Sequence, residues 1–133
     1  MLRIILLFTA VFIPMGIFIF MKSDQMERKL VIPPGIELTD SERTGEILFA
    51  KKGCNVCHSI LGTKGGSGPI LDTVTANKSE EDLQKWLENP KLVNKAARMP
   101  NLKLEPEEIA SLISFLKWVN MVNETVDAKD PQS

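Results

Sequence analysis

The sequence predicts an all-α domain held behind a single apolar N-terminal helix. Three observations carry that prediction. Residues 4–21, IILLFTAVFIPMGIFIFM, carry no charge, whereas the rest of the 133-residue chain is densely charged. Three later stretches show helix start signals or helical apolar spacing. Strand-like alternation and internal repeats are absent from the sequence.

The length suits one domain. With 16 Lys plus Arg against 17 Asp plus Glu, the chain has no basic field for nucleic acid, and that class of partner is excluded.

The apolar run spans about 27 Å as a helix at about 1.5 Å per residue, close to the roughly 30 Å hydrocarbon core of a bilayer. A cleaved secretory signal is the competing reading, with Arg3 and the terminal amine as its positive region and Pro14 and Gly16 near its end. The run is longer than a usual signal core and no Ala-x-Ala-like site follows. An uncleaved transmembrane anchor over 1–22 is therefore expected, touching lipid through 4–21. Lys22, Arg28 and Lys29 balance Arg3 and the amine too closely for flanking charge to orient it. Residues 23–38 contain Pro33, Pro34 and Gly35, which stop a helix, and read as a tether.

The folded domain is expected over 39–122. In 39-TDSERTGEILFAKKG-53, Thr39 and Glu42 form a capping-box pattern and Gly53 supplies a C-terminal stop, so a first helix of about three turns is predicted. Gly45 and Phe49 share one face of it. Gly45 either admits a second helix at close range or is a weak point costing about 1 kcal/mol, and taken alone the weak point is the better reading. Residues 59–78 have no period and read as a long loop wrapped around something. Ser79 and Asp82 open a second helix through 80–89, which Asn89-Pro90 ends, with Leu83, Trp86 and Leu87 on its buried face. A third helix opens at 105-EPEE-108 and carries Ile109, Leu112, Ile113, Leu116 and Val119 at helical spacing. Its stripe fades after Asn120, and 123–133 is expected to be a mobile tail.

Both cysteines and the only histidine fall in 54-CNVCHSILGTKGGSGPIL-71. Composition alone ranks a disulfide first for an exported domain. A zinc site needs about four ligands, more than these residues supply. A thioredoxin-like pair belongs after a strand, and here a predicted helix precedes it. The remaining reading is Cys54-Asn55-Val56-Cys57-His58 as C-x-x-C-H, the attachment signature of c-type haem: two thioether bonds, with the adjacent histidine as proximal ligand. An electron-transfer haem takes a second axial ligand, and without another histidine that ligand is a methionine. Met99 and Met121 are the candidates downstream. Met99 is preferred, because it lies between two predicted helices and Pro100 fixes the backbone beside it.

Taken in order, GEILFAKKGCNVCH, GSGPIL, LQKWLENP, ARMPNL and EEIASLISFLKW make residues 41–120 resemble class I cytochrome c. The resemblance implies that fold around one covalently attached haem c, thioethers at Cys54 and Cys57, and axial ligands His58 and Met99. It also implies a Pro69 carbonyl that accepts a hydrogen bond from the His58 ring, and a crossing of Gly45 and Phe49 over the last helix near Phe115. Trp86 would lie near the haem propionates, with plain core packing an equal reading. Haem attachment outside the cytoplasm places the domain on the periplasmic or extracytoplasmic face of the cell membrane. The runs 57-CHSILG-62 and 115-FLKWVN-120 are similar to the small cytochrome c subunit of bacterial nitric oxide reductase. That subunit usually carries an aromatic pair where this chain has 65-GGSG-68.

The expected function is single-electron transfer between respiratory partners, alone or as a subunit of a membrane oxidoreductase, without catalysis by the chain itself. The nitric oxide reductase subunit is the alternative, and a haem-based gas sensor or peroxidase a lower one. Lys51, Lys52 and Lys64 surround the attachment loop, where ordinary solvation is the simpler reading than a ring for an acidic partner.

Overall fold

The computed structural model of the protein describes residues 35–129. The expected anchor at 1–22 and the tether up to residue 34 lie outside them. Among the described residues there are helices and no strands, and no helix is long and apolar enough to cross a membrane. In chain order they are α1 (Asp40–Lys51), α2 (Cys54–Cys57), α3 (Val74–Asn77), α4 (Glu80–Glu88), α5 (Pro90–Val93) and α6 (Pro106–Lys129).

Helix α1 begins with the capping box read from the sequence: Glu42 N–H donates to Thr39 Oγ1 at 3.4 Å, and Thr39 N–H to Glu42 Oε2 at 2.6 Å. Each bond satisfies an amide that the first turn leaves without a helical acceptor. Gly53, in the left-handed region at φ 77°, closes α1 and turns the chain directly into α2.

Helix α6 is the spine. Ile109, Leu112, Ile113, Leu116 and Val119 are all buried, as the spacing predicts, and Phe115, Trp118 and Val122 are buried beside them. Helix α1 crosses α6 where a Cβ on Gly45 would stand 2.1 Å from the Ser111 carbonyl oxygen and 2.6 Å from Phe115 Cβ. That contact selects the close-approach reading of Gly45 over the weak-point reading. Next to it the Phe49 and Phe115 rings meet at 5.7 Å between centroids, tilted by 58°, and Phe115 stacks on Trp118 at 6.0 Å. At the end of the crossing, Lys52 Nζ bonds Glu108 at 2.8 Å. A second cluster joins Leu83 of α4 to Ile109 and Ile113, with Val74, Leu87 and Leu104 packed around it.

Two expectations are corrected. Regular structure does not stop near 122, because α6 runs to Lys129. Val122 still reaches the core, and the side-chain amides of Asn120 and Asn123 bond Glu124 and Asp127 one turn on. On α4 the predicted face stands, with Leu83 buried and Trp86 and Leu87 half-buried, Leu87 against the Leu83 cluster. Asn89 is extended at φ −156° and ends α4 as expected, but Pro90 then starts the extra turn α5, and α3 interrupts the predicted loop.

Candidate functional site

Helix α2 is one turn, Cys54 to Cys57, closed by His58 N–H donating to the Cys54 carbonyl at 2.8 Å. Both cysteines are free, Cys54 half-buried and Cys57 exposed, so the disulfide is absent. Burial pushes the Cys54 thiol above its ordinary pKa; a backbone hydrogen bond opposes this and neighbouring Cys57 adds to it. A redox Cys-x-x-Cys needs the opposite shift, toward thiolate. Among the described residues no three His, Cys, Asp or Glu side chains are grouped to hold a metal ion.

His58 leaves α2 in extended conformation, at φ −101° and ψ 141°. Its Nδ1–H donates to the Pro69 carbonyl oxygen at 2.9 Å, the bond the resemblance implies. A carbonyl can only accept, so the tautomer follows from the partner: Nδ1 carries the proton and Nε2 keeps a lone pair for a metal.

The loop after His58 folds back over the motif. Gly68 N–H donates to the Cys57 carbonyl at 2.9 Å, and Leu71 N–H to the Ser59 carbonyl at 3.0 Å. Gly65 N–H reaches Ser59 Oγ at 2.9 Å, and Leu61 N–H reaches Asp72 Oδ1 at 2.6 Å. A Cβ on Gly68 would lie 2.9 Å from His58 Nδ1, one on Gly66 2.7 Å from the Val56 carbonyl oxygen, and one on Gly65 2.4 Å from the His58 carbonyl carbon. The glycine run is therefore a steric requirement of packing a loop onto the attachment turn.

Cys54, Cys57, His58 and Pro69 thus form one bonded unit. Met99 and Trp86 sit apart from it in the chain, Met99 half-buried in the loop between α5 and α6 and Trp86 half-buried on α4; among the described residues no hydrogen bond ties either to the unit. The Met99 loop is braced by Ala96 N–H donating to Asn94 Oδ1 and Lys103 N–H to Asn101 Oδ1, each at 2.9 Å. Met121 is 47% exposed on α6. Of the three lysines around the attachment loop, Lys52 is engaged by Glu108, while Lys51 and Lys64 are exposed.

Two residues that hold the site were not singled out from the sequence, Ser59 and Asp72. Asp72 had one visible signal, as the sole carboxylate between His58 and Glu80.

These residues fit a covalently held haem: two unpaired thiols one turn apart, an imidazole whose Nδ1 is occupied and Nε2 available, and an apolar neighbour in Ile70, 68% exposed next to Pro69. The cytochrome c family model matches residues 42–120. Curated relatives include the C subunits of several bacterial nitric oxide reductases. The one from Paracoccus denitrificans is 28% identical over 96 residues, and the one from Halomonas halodenitrificans 29% over 96 residues. A third, from Stutzerimonas stutzeri, is 26% identical over 93 residues. Each match covers 65% of this chain, and the chain spans 64% of the length of these relatives.

Proposed function

The chain belongs to the cytochrome c family, and from that premise we propose that it is a membrane-anchored, mono-haem electron carrier on the extracytoplasmic face. Its finer assignment is the electron-input subunit of a nitric oxide reductase. The observation that carries the electron-transfer reading is the His58–Pro69 bond, one residue past two free thiols.

Cys54 and Cys57 would hold the haem by thioethers, with His58 Nε2 and the Met99 sulfur as axial ligands. Bound there, the haem supplies one-electron chemistry at iron, its potential raised by a thioether ligand relative to a second imidazole. The Pro69 carbonyl fixes the orientation of the imidazole and makes Nε2 a stronger donor. Trp86, half-buried on α4, is the candidate donor to a propionate. The apolar run 4–21 supports the anchor, and confinement to a bilayer raises the effective concentration near a membrane partner.

The nitric oxide reductase assignment is supported by the names of the relatives and by 57-CHSILG-62. The run 65-GGSG-68 departs from that subunit's usual pattern, and its glycines pack the loop against Val56, Cys57, His58 and Ser59. A gas sensor or peroxidase, the lower alternative, requires an iron without a fixed methionine.

The test is purification of the full chain from membranes in detergent. The expected result is an intact mass that includes residues 1–21 and one haem, with a larger membrane oxidoreductase subunit travelling alongside. A mass beginning after Met21 contradicts the anchor, and a chain that travels alone contradicts the subunit assignment.

A further inference from the structure

Four bonds cross the loop after His58, and their partners lie 11 or 12 residues apart. In order they are Gly68 N–H to the Cys57 carbonyl, His58 Nδ1–H to the Pro69 carbonyl, Leu71 N–H to the Ser59 carbonyl, and Leu61 N–H to Asp72 Oδ1. In the last alone the acceptor is a side chain. It is also the shortest, at 2.6 Å, and hydrogen bonds to carboxylate oxygens are roughly twice as strong as those to neutral acceptors. Its donor, Leu61, has φ 45°, in the left-handed region that a residue with a Cβ avoids, and Gly62 follows at φ 74°. The turn at 61–62 is therefore held against the preference of Leu61. Thr63 N–H donates to the Ile60 carbonyl at 2.8 Å and Thr63 Oγ1 bonds both the Ile60 N–H and carbonyl, while the half-buried Asp72 carboxylate makes the one bond that ties the turn across the loop.

We propose that Asp72 is a positioning residue for His58. Its bond to Leu61 closes the loop three residues beyond the His58–Pro69 bond on both sides, and so keeps the Pro69 carbonyl on Nδ1. Through that bond it sets the donor strength of Nε2 and hence the reduction potential. The inference rests on the reading of His58 as an iron ligand. Without the clamp Leu61 relaxes, the Nδ1–H to carbonyl bond loosens, the imidazole donates less, and the ferric state is less favoured.

Loss of the carboxylate charge acts in the same direction, so two variants separate the effects. Asp72→Asn keeps an acceptor oxygen without the charge, and Asp72→Ala removes both. The haem-loaded full chain is titrated for its reduction potential, and hydrogen exchange of His58 Nδ1–H is followed by NMR in the ferrous state. Asp72→Ala is expected to speed that exchange about tenfold and to raise the equilibrium constant for reduction about threefold beyond Asp72→Asn, a shift of about 28 mV at 59 mV per tenfold. Asp72→Asn is expected to keep wild-type exchange. Equal potentials in the two variants with unchanged exchange, or a wild-type Asp72→Ala, overturn the proposal. If Asp72→Ala does not fold, the double variant Leu61→Gly with Asp72→Ala carries the test, because glycine accepts the positive φ without a clamp. Wild-type exchange in it agrees with the proposal, and fast exchange overturns it. A wild-type chain without covalent haem, or without a histidine ligand, defeats the reading of the site instead.

Discussion

The α1/α6 crossing and the loop from His58 to Asp72 are both closely packed around glycines, but different forces hold them. At the crossing, Gly45 brings two backbones together and the buried rings of Phe49 and Phe115 fill the space alongside. Its stability comes from apolar area removed from water, on the order of 1.5–3 kcal/mol for each large side chain. In the loop Ile60 alone reaches the core, and the chain is held by directional bonds at Cys57, Ser59, Leu61, Pro69 and Asp72. A bond of that kind is worth about 0.5–1.5 kcal/mol net, so the loop adds little to global stability. What it adds is the orientation of one imidazole. The fold is thus secured in one region and the His58 ring is oriented in another, and damage to each should read out differently.

The comparison breaks most visibly at the crossing. Phe115→Ala is expected to cost about 3–5 kcal/mol, measured by denaturant unfolding of the haem-loaded chain. Gly45→Ala is expected to cost about 1–3 kcal/mol, because the added carbon meets the Ser111 backbone, which cannot rotate away. In variants that still fold, the ferric spectrum should be unchanged. Gly68→Ala inverts that pattern. Its Cβ falls on the Cys57 carbonyl and the His58 ring, so the potential is expected to move while unfolding changes by about 1 kcal/mol or less. An unchanged potential in Gly68→Ala would remove the distinction between the two regions.

The smallest effect concerns pH at the edge of the crossing. The Lys52 hydrogen bond, then the Glu105 backbone N–H, hold the Glu108 carboxyl below the usual carboxylate range. A carboxylate lowered on folding contributes stability that is present above its unfolded pKa and lost as pH falls through the folded one. Lys52→Met should therefore flatten the acid limb of the stability profile and leave its slope near neutrality unchanged. An acid limb as steep as the wild type's would show that the pair does not contribute.

Much of the helical frame was legible because its signals are local. The caps at Thr39 and Ser79 and the α6 stripe depend on residues three or four apart, and the structure reproduces them. Gly45 was ambiguous alone, since only the partner helix distinguishes close approach from weakness. The run of α6 past 122 is not legible in the apolar stripe, because its support is one more buried valine and polar pairs that form only once the helix exists. At the site, the C-x-x-C-H spacing gave the unit of Cys54, Cys57 and His58 directly. The Asp72 clamp and the Lys52–Glu108 pair join residues 11 and 56 apart, and periodicity carries no trace of such partners.

The proposed site has His58 and Met99 as the two axial ligands of one covalent haem. The near-infrared spectrum of the ferric full chain tests it most directly, through the weak band of sulfur-to-iron coordination. A low-spin spectrum with that band is expected in the wild type and in Met121→Ala, and its loss in Met99→Ala. A band lost in Met121→Ala and kept in Met99→Ala would contradict it.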